Sequence, residues 1–291
     1  MMRADFHMHS TASDGVMSPE LLVWEARQAG VQWMAITDHD TFYGTDSLRE
    51  EDKVIPVLPG VELSLRDMPG LHLLAYGTAP APALRRAVED LEEKRVVRAR
   101  EMARKLEALG MPLDFPALIK KRRREGGSHA TIGRPHLARA LVRAGYVKNM
   151  QAAFEQFLGE HGPAYVPCER LSMEEALPLI LKSGFVPVIA HPRELKLPDE
   201  QLLSLIKKWQ GLGLMGLEVY HPSAAAGGFD GLEHMARTLG LLVTGGSDFH
   251  MPHDGKHGLI GAMSDEWAGI EADVTCLMEA VREMHRKATE Q

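Results

Sequence analysis

Short apolar runs alternate with helical patterns along most of this 291-residue chain, and almost every run ends in, or contains, a residue of metal-ligating type. Those residues are His7, His9, Asp14, His39, Glu62, His72, His191, Asp248 and His250. First-row divalent ions bind mixed imidazole and carboxylate groups only when these share one shell. A fold that uses the pattern must therefore gather its strand ends. The apolar runs read as strands at Arg3–His7, Trp33–Thr37, Val54–Val61, Leu71–Tyr76, Phe185–Ala190, Met215–Tyr220 and Leu241–Gly245. Between them, Ser18-Pro19 opens a helix that Gly30 closes, and Ser172 with Glu175 forms a capping box. Further helices are expected over Asp199–Gly211, Gly228–Leu239 and Asp273–Lys287. Roughly seven strands alternating with helices predict a parallel α/β fold. An open doubly wound sheet clusters its functional residues at one switch point, whereas a barrel spreads them over all its strand C-termini. The distribution here predicts a barrel.

The stretch 80–162 breaks this rhythm. It contains no convincing strand and reads as helices over Leu84–Leu109, Pro135–Ala144 and Met150–Leu158. In the first, Val88, Leu91, Val96, Met102, Leu106 and Leu109 recur at helical spacing amid dense charge, the mark of an exposed helix with one packed stripe. The expectation is a helical insertion, residues 80–162, capping a barrel built from 1–79 and 163–291.

Composition excludes several classes. A formal net charge of −7 argues against bulk electrostatic coating of DNA or other nucleic acid. Cys168 and Cys276 lie far apart and outside any CxxC context, which excludes a cysteine-rich zinc finger and fits a reducing cytoplasm. The opening MMRADFHMHS has no apolar core, so no signal peptide is expected. No run of about 18 apolar residues is present, so no membrane span is expected.

Alternate residues of an extended chain face the same way, so His7 and His9 can reach one ion while Met8 faces away. Thr37-Asp38-His39-Asp40, Gly60-Val-Glu62, Leu71-His72, Ala190-His191-Pro192 and Ser247-Asp248-Phe-His250 repeat the theme at later strands. Independent structural histidines would not distribute themselves in this way. The ordered set resembles the PHP (polymerase and histidinol phosphatase) superfamily across both expected barrel halves. Within it, HSTASDG, TDHD, GRPHLAR and GSDFH are similar to the branch of nucleoside-3′,5′-bisphosphate phosphatases and RNase AM.

This resemblance implies a distorted (β/α)7 PHP barrel with three divalent ions. His7, His9, Glu62 and Asp248 would hold the first, Glu62, His72 and His191 the second, and Asp14, His39 and His250 the third. Mn²⁺ is expected, with Fe²⁺ and Zn²⁺ as alternatives, because Asp14 stands where some relatives carry His and favours a harder ion. Three such ions carry about +6, of which Asp14, Glu62 and Asp248 offset about three, leaving a field suited to phosphate. A metal-bound water is the expected nucleophile, and no GxSxG elbow competes with it. Asp38, His191 and His250 are the candidate catalytic side chains beside it. Asp38 and Asp40 flank His39 and can orient it or cap the following turn.

On the substrate side, Arg134 and His136 open a helix whose N-terminus favours phosphate, and Arg193 follows ligand candidate His191 closely. Arg139 and the run Lys120–Arg124 read as solvated surface. His129, His161, His221, His253 and His257 fall outside the motifs and read as structural or surface residues, with His253 and His257 near the rim. The resemblance implies removal of the 3′-phosphate from nucleoside 3′,5′-bisphosphates such as pAp, and 5′→3′ trimming of short RNA. The alternatives are a histidinol-phosphate phosphatase and a non-catalytic PHP module that binds nucleic acid.

Overall fold

The computed structural model describes residues 2–79, 81–126, 131–252 and 257–290. Seven strands form one sheet in chain order: β1 (Ala4–Asp5), β2 (Trp33–Ile36), β3 (Val57–Ser64), β4 (His72–Tyr76), β5 (Val186–Ile189), β6 (Gly216–Tyr220) and β7 (Leu242–Gly245). Backbone bonds from Phe6 N to Gly245 O (3.1 Å), Asp248 N to His7 O (2.8 Å) and His9 N to Phe249 O (2.9 Å) join the first and last strands. The sheet is thereby a nearly closed barrel, as the distribution of polar residues predicted.

One strand corrects the all-parallel expectation. Strand β4 runs antiparallel to both β3 and β5, while the remaining neighbours pair in parallel. The cause is connection length: residues 65–71 turn the chain within a short loop, and a parallel crossover needs a dozen or more. Ser64 at the end of β3 therefore pairs with His72 at the start of β4. Reversing the strand keeps His72 on the rim where the parallel strands end.

Helices α1 (Pro19–Gln28) and α2 (Tyr43–Asp46) follow the first two strands. Ser18 caps α1 by accepting from Leu21 N, with Pro19 in the first turn, as its sequence predicts. Four helices then run without an intervening strand: α3 (Pro82–Ala108), α4 (Phe115–Gly126), α5 (Arg134–Arg143) and α6 (Met150–Ala153), the last continuing into a wide turn at Phe154–Leu158. They enclose an apolar cluster of their own, including Met102, Leu106, Leu137, Leu141 and Leu158. The sequence reading missed α4, because its inward face carries an arginine. Phe115, Leu118 and Arg122 are all buried at the spacing of one helical face. The later helices are α7 (Met173–Lys182), α8 (Asp199–Gln210), α9 (Pro222–Ala225), α10 (Asp230–Thr238) and α11 (Ile270–Thr289). The Ser172/Glu175 capping box forms as expected.

Helix α3 is tied to the barrel by an ion pair. Arg95 Nε lies 2.5 Å from Asp40 Oδ2, and Arg95 Nη2 donates to Ser64 Oγ at 2.9 Å. Asp40 Oδ1 accepts from Ser64 N at 3.0 Å, so Asp40 anchors β3 and α3. Both partners are largely shielded, at 11% and 3% side-chain exposure. Removing one member strands a buried charge, which costs about 3 kcal/mol. Arg95→Met is therefore expected to lower the urea midpoint of the metal-free protein by a matching amount; a change within error would deny the pair this role.

Candidate metal centre

Glu62 sits at the middle of the rim, 1% exposed, and its two oxygens face five imidazoles. Oε2 lies 3.4 Å from His7 Nε2, 3.3 Å from His9 Nε2 and 2.9 Å from His39 Nδ1. Oε1 lies 2.8 Å from His72 Nδ1 and 2.9 Å from His191 Nε2. Asp248 Oδ1 completes a first group, at 3.3 Å from His7 Nε2 and 3.1 Å from His9 Nε2. His9, Asp14, His39 and His250 form another, in which Asp14 Oδ1 is 3.2 Å from His250 Nε2. His72 Nδ1 and His191 Nε2 are 3.3 Å apart beside their shared Glu62 oxygen. All nine residues singled out from the sequence thus converge.

The donor set fits divalent ions. Among the described residues, His7 Nε2, His9 Nε2, Asp14 Oδ1, His39 Nδ1 and Glu62 Oε2 are buried without a well-directed hydrogen bond, although they crowd one another. Bonds of about 2.1 Å to a shared ion separate adjacent ligand atoms by roughly 3.0–3.4 Å, the spacing seen here. Burial disfavours charge on His9, yet the carboxylates of Asp248 and Glu62 outweigh it and hold the imidazole up at about 10. Burial is also opposed at His7, where Glu218, Asp248 and Glu62 push the ring well above its ordinary range. His72 goes the other way: burial lowers it to about 4. The carboxylates thus draw positive charge onto His7 and His9, the charge that a bound cation would supply instead.

Supporting residues around this core were less legible. Glu218, fully buried in β6, accepts from His7 Nδ1 at 3.0 Å and from His191 N at 2.7 Å. It fixes the His7 tautomer so that Nε2 faces the centre. The signal in the sequence was a lone carboxylate inside the apolar run GLEVY. His221 and His257 each place Nε2 at 3.5 Å from Asp248 Oδ2, so both belong with the centre. His161 is exposed, and His129 and His253 lie outside the described residues. Gly246 is required by contact: a Cβ there would lie 2.3 Å from His7 Cβ.

Three expectations change with the geometry. Asp38 accepts from Ser10 N (2.8 Å), Ser10 Oγ (2.6 Å), Ser13 N (3.1 Å) and Ser13 Oγ (2.5 Å), so it shapes the loop before Asp14 and does not face the cavity. His136 is buried and accepts from Gly133 N through Nδ1 at 3.0 Å, capping α5 from within. Arg193 pairs with Asp199 outside the cavity. Proline at position 192 turns the chain after His191 and carries the Arg193 side chain away towards α8.

A cavity of about 930 Å³ opens over the centre, lined on one side by Asp14, Glu62, Asp248 and the histidines. Its other side carries Arg95, Arg98, Arg134, Arg139 and Arg170. Arg98 and Arg134 flank the Tyr165 ring at 5.3 and 5.8 Å, and Arg134 also lies over Phe154 at 5.7 Å. Burial first, and then the crowding cations Arg134 and Arg170, pull Arg98 down to about 10. Arg98 Nη2 is buried with no acceptor among the described residues. Only Arg134 of this group was anticipated. The others sit on a highly charged helix or loop, where a cavity-facing arginine and a solvated one look alike.

The model of the PHP domain family matches residues 5–112. The chain is 33% identical over 259 residues to a 3′,5′-nucleoside bisphosphate phosphatase of Chromobacterium violaceum, covering 88% of this chain and 90% of that protein. It is 33% identical over 255 residues to a 5′-3′ exoribonuclease of Haemophilus influenzae, covering 85% and 90%. Among solved structures, a protein of Bifidobacterium adolescentis described as a metal-dependent phosphoesterase superposes with a TM-score of 0.77 at 31% identity, over 91% of this chain and 95% of that one. Relatedness over nearly the whole chain and a rim of nine convergent ligand-type residues agree, and the chain belongs to the PHP family of metal-dependent phosphoesterases.

Proposed function

We propose that this protein removes the 3′-phosphate from nucleoside 3′,5′-bisphosphates and trims short RNA from its 5′ end. The observation that carries the reading is a cavity with two positive poles, one at the metal centre and one at the arginines. A substrate with two phosphates satisfies both. The relatives named for bisphosphate and RNA hydrolysis support the same chemistry.

In this reading His7, His9, Glu62 and Asp248 hold one ion, Glu62, His72 and His191 a second, and Asp14, His39 and His250 a third, with Mn²⁺ preferred. Bound there, divalent ions supply an activated water and neutralise charge on the phosphate. Glu218 keeps His7 and His191 aligned, and His257 stands beside Asp248 and His250 at the cavity wall. Arg98, Arg134 and Arg170 grip the 5′-phosphate, Phe154 and Met150 give the nucleoside an apolar wall, and residues 80–162 act as the cap that carries most of this pocket. Both activities break a 3′ ester bond while the 5′-phosphate is held. Histidinol phosphate has one phosphate and an ammonium group, which the arginine pole repels. A purely binding module would not need every ligand position filled.

Two outcomes follow. Arg98→Gln and Arg134→Gln each remove a charge-assisted contact, and are expected to raise KM for pAp by about tenfold or more with little change for p-nitrophenyl phosphate. Equal effects on both substrates, or turnover of histidinol phosphate without pAp, would sink the assignment. Metal binding must also displace protons from His7, His9 and His191, whose affinity for them is raised, but none from His72 at neutral pH. Affinity for Mn²⁺ is therefore expected to fall as pH drops from about 8 to 6.5, with more than about one proton released per chain. Calorimetry in buffers of different ionisation enthalpy measures this; no proton release would contradict it.

A further inference from the structure

Asp14 lies on the loop that follows β1, and that loop is held from two sides. From the barrel, Asp38 takes four hydrogen bonds from Ser10 and Ser13. From the helices, Arg122 Nη2 donates to Thr11 O at 2.7 Å, Ser13 O at 2.5 Å and Thr131 O at 3.2 Å. Arg139 Nη2 donates to Asp14 O at 2.5 Å. Thr11 Oγ1 donates to Glu125 O at 2.8 Å, and Thr131 N donates to Ala12 O at 2.8 Å. Every residue from Thr11 to Asp14 thus has a backbone or side-chain bond to α4, α5 or the segment between them.

This corrects the reading of Arg122 and Arg139 as solvated surface. Arg122 is 4% exposed, and every acceptor of its hydrogen bonds is a main-chain carbonyl. Its Nη2 is shared among the three carbonyls, and Nε adds a second contact to Thr131 O at 3.2 Å, which fixes the plane of the guanidinium. Burying it without a paired carboxylate is unfavourable for a residue that merely joins two surfaces. The arrangement makes sense if the loop's shape is what matters, because turning these carbonyls towards α4 leaves the Asp14 side chain to face His250 and His9.

We propose that Arg122 and Arg139 are positioning residues for metal binding: by gripping the carbonyls of residues 11–14 they hold Asp14 in the group with His9, His39 and His250. That position then binds its ion fully only while the helices are docked. The inference rests on the metal-centre reading above, and goes beyond it by making one ion site depend on the cap.

The test uses the full chain, stripped of metal and titrated with Mn²⁺, with bound ions counted by elemental analysis and free Mn²⁺ by paramagnetic resonance. Arg122→Gln and Arg139→Lys are each expected to weaken one ion per chain by about 10- to 100-fold and leave the others at wild-type affinity. Asp14→Asn serves as the reference and should produce the same single deficit. Combined with Arg139→Lys it should add little, because both act on one site. Unchanged affinities, or equal weakening of all ions, would overturn the proposal. Should Arg122→Gln fail to fold, Arg139→Lys, which alters a single part-buried contact, decides the question alone. A wild-type protein that binds no Mn²⁺ would instead defeat the metal-centre reading.

Discussion

A single buried carboxylate organises this rim. Glu62 is enclosed by protein and touches five imidazoles that come from the ends of β1, β2, β4 and β5. An anion removed from water is tolerated only when charges or donors surround it on every side. Its partners come from the two strands on either side of β3, and curling the sheet tips their ends onto one point. Closing β7 onto β1 then brings Asp248 and His250 to His7, His9 and Asp14. The barrel and the centre are in this sense one constraint: curling the sheet satisfies Glu62, and closing it delivers Asp248 to the same imidazoles.

The same rim stores strain. Outside glycine, positive φ occurs among the described residues at Asp40 (49°), His191 (28°), Lys196 (54°) and Asp248 (52°), three of which are at the centre or beside it. A histidine in this region is uncommon, and such conformations cost about 1–3 kcal/mol each. His191 is held there by its N–H bond to Glu218, and Asp248 by its N–H bond to His7 O. The fold spends stability on aiming ligands, and recovers it in the apolar layer behind the strands, where Phe6, Tyr76 and Trp267 meet edge to face.

The ligand set was legible because its chemistry and its spacing coincide: a histidine directly after a buried strand has few structural uses. Strand β4 shows the limit of that reading. Its apolar pattern placed it, but its direction depends on a short connection whose effect is geometric, and His72 therefore begins its strand where the others finish theirs. Glu218 was hidden for the opposite reason, since apolar neighbours on both sides make its strand look like plain core. The arginines were hardest. Lys120 to Arg124 is a run of five basic residues, and only helical phase against Phe115 and Leu118 distinguishes Arg122 from its solvated neighbours.

That phase has a consequence for how such enzymes divide labour. The barrel supplies the ligand-type residues at its strand ends and in the short loops just beyond them. The helices supply the arginine pole, and arginines on helices are easily exchanged. If the two parts were independent, substrate preference could drift without touching the chemistry. Here they are joined twice, through Asp40 with Arg95 and through the carbonyls gripped by Arg122 and Arg139. A change in the orientation of these helices therefore moves the arginine pole and Asp14 together. If the arginine pole holds one phosphate as proposed, coupling of this kind ties its recognition to the readiness of the metal centre.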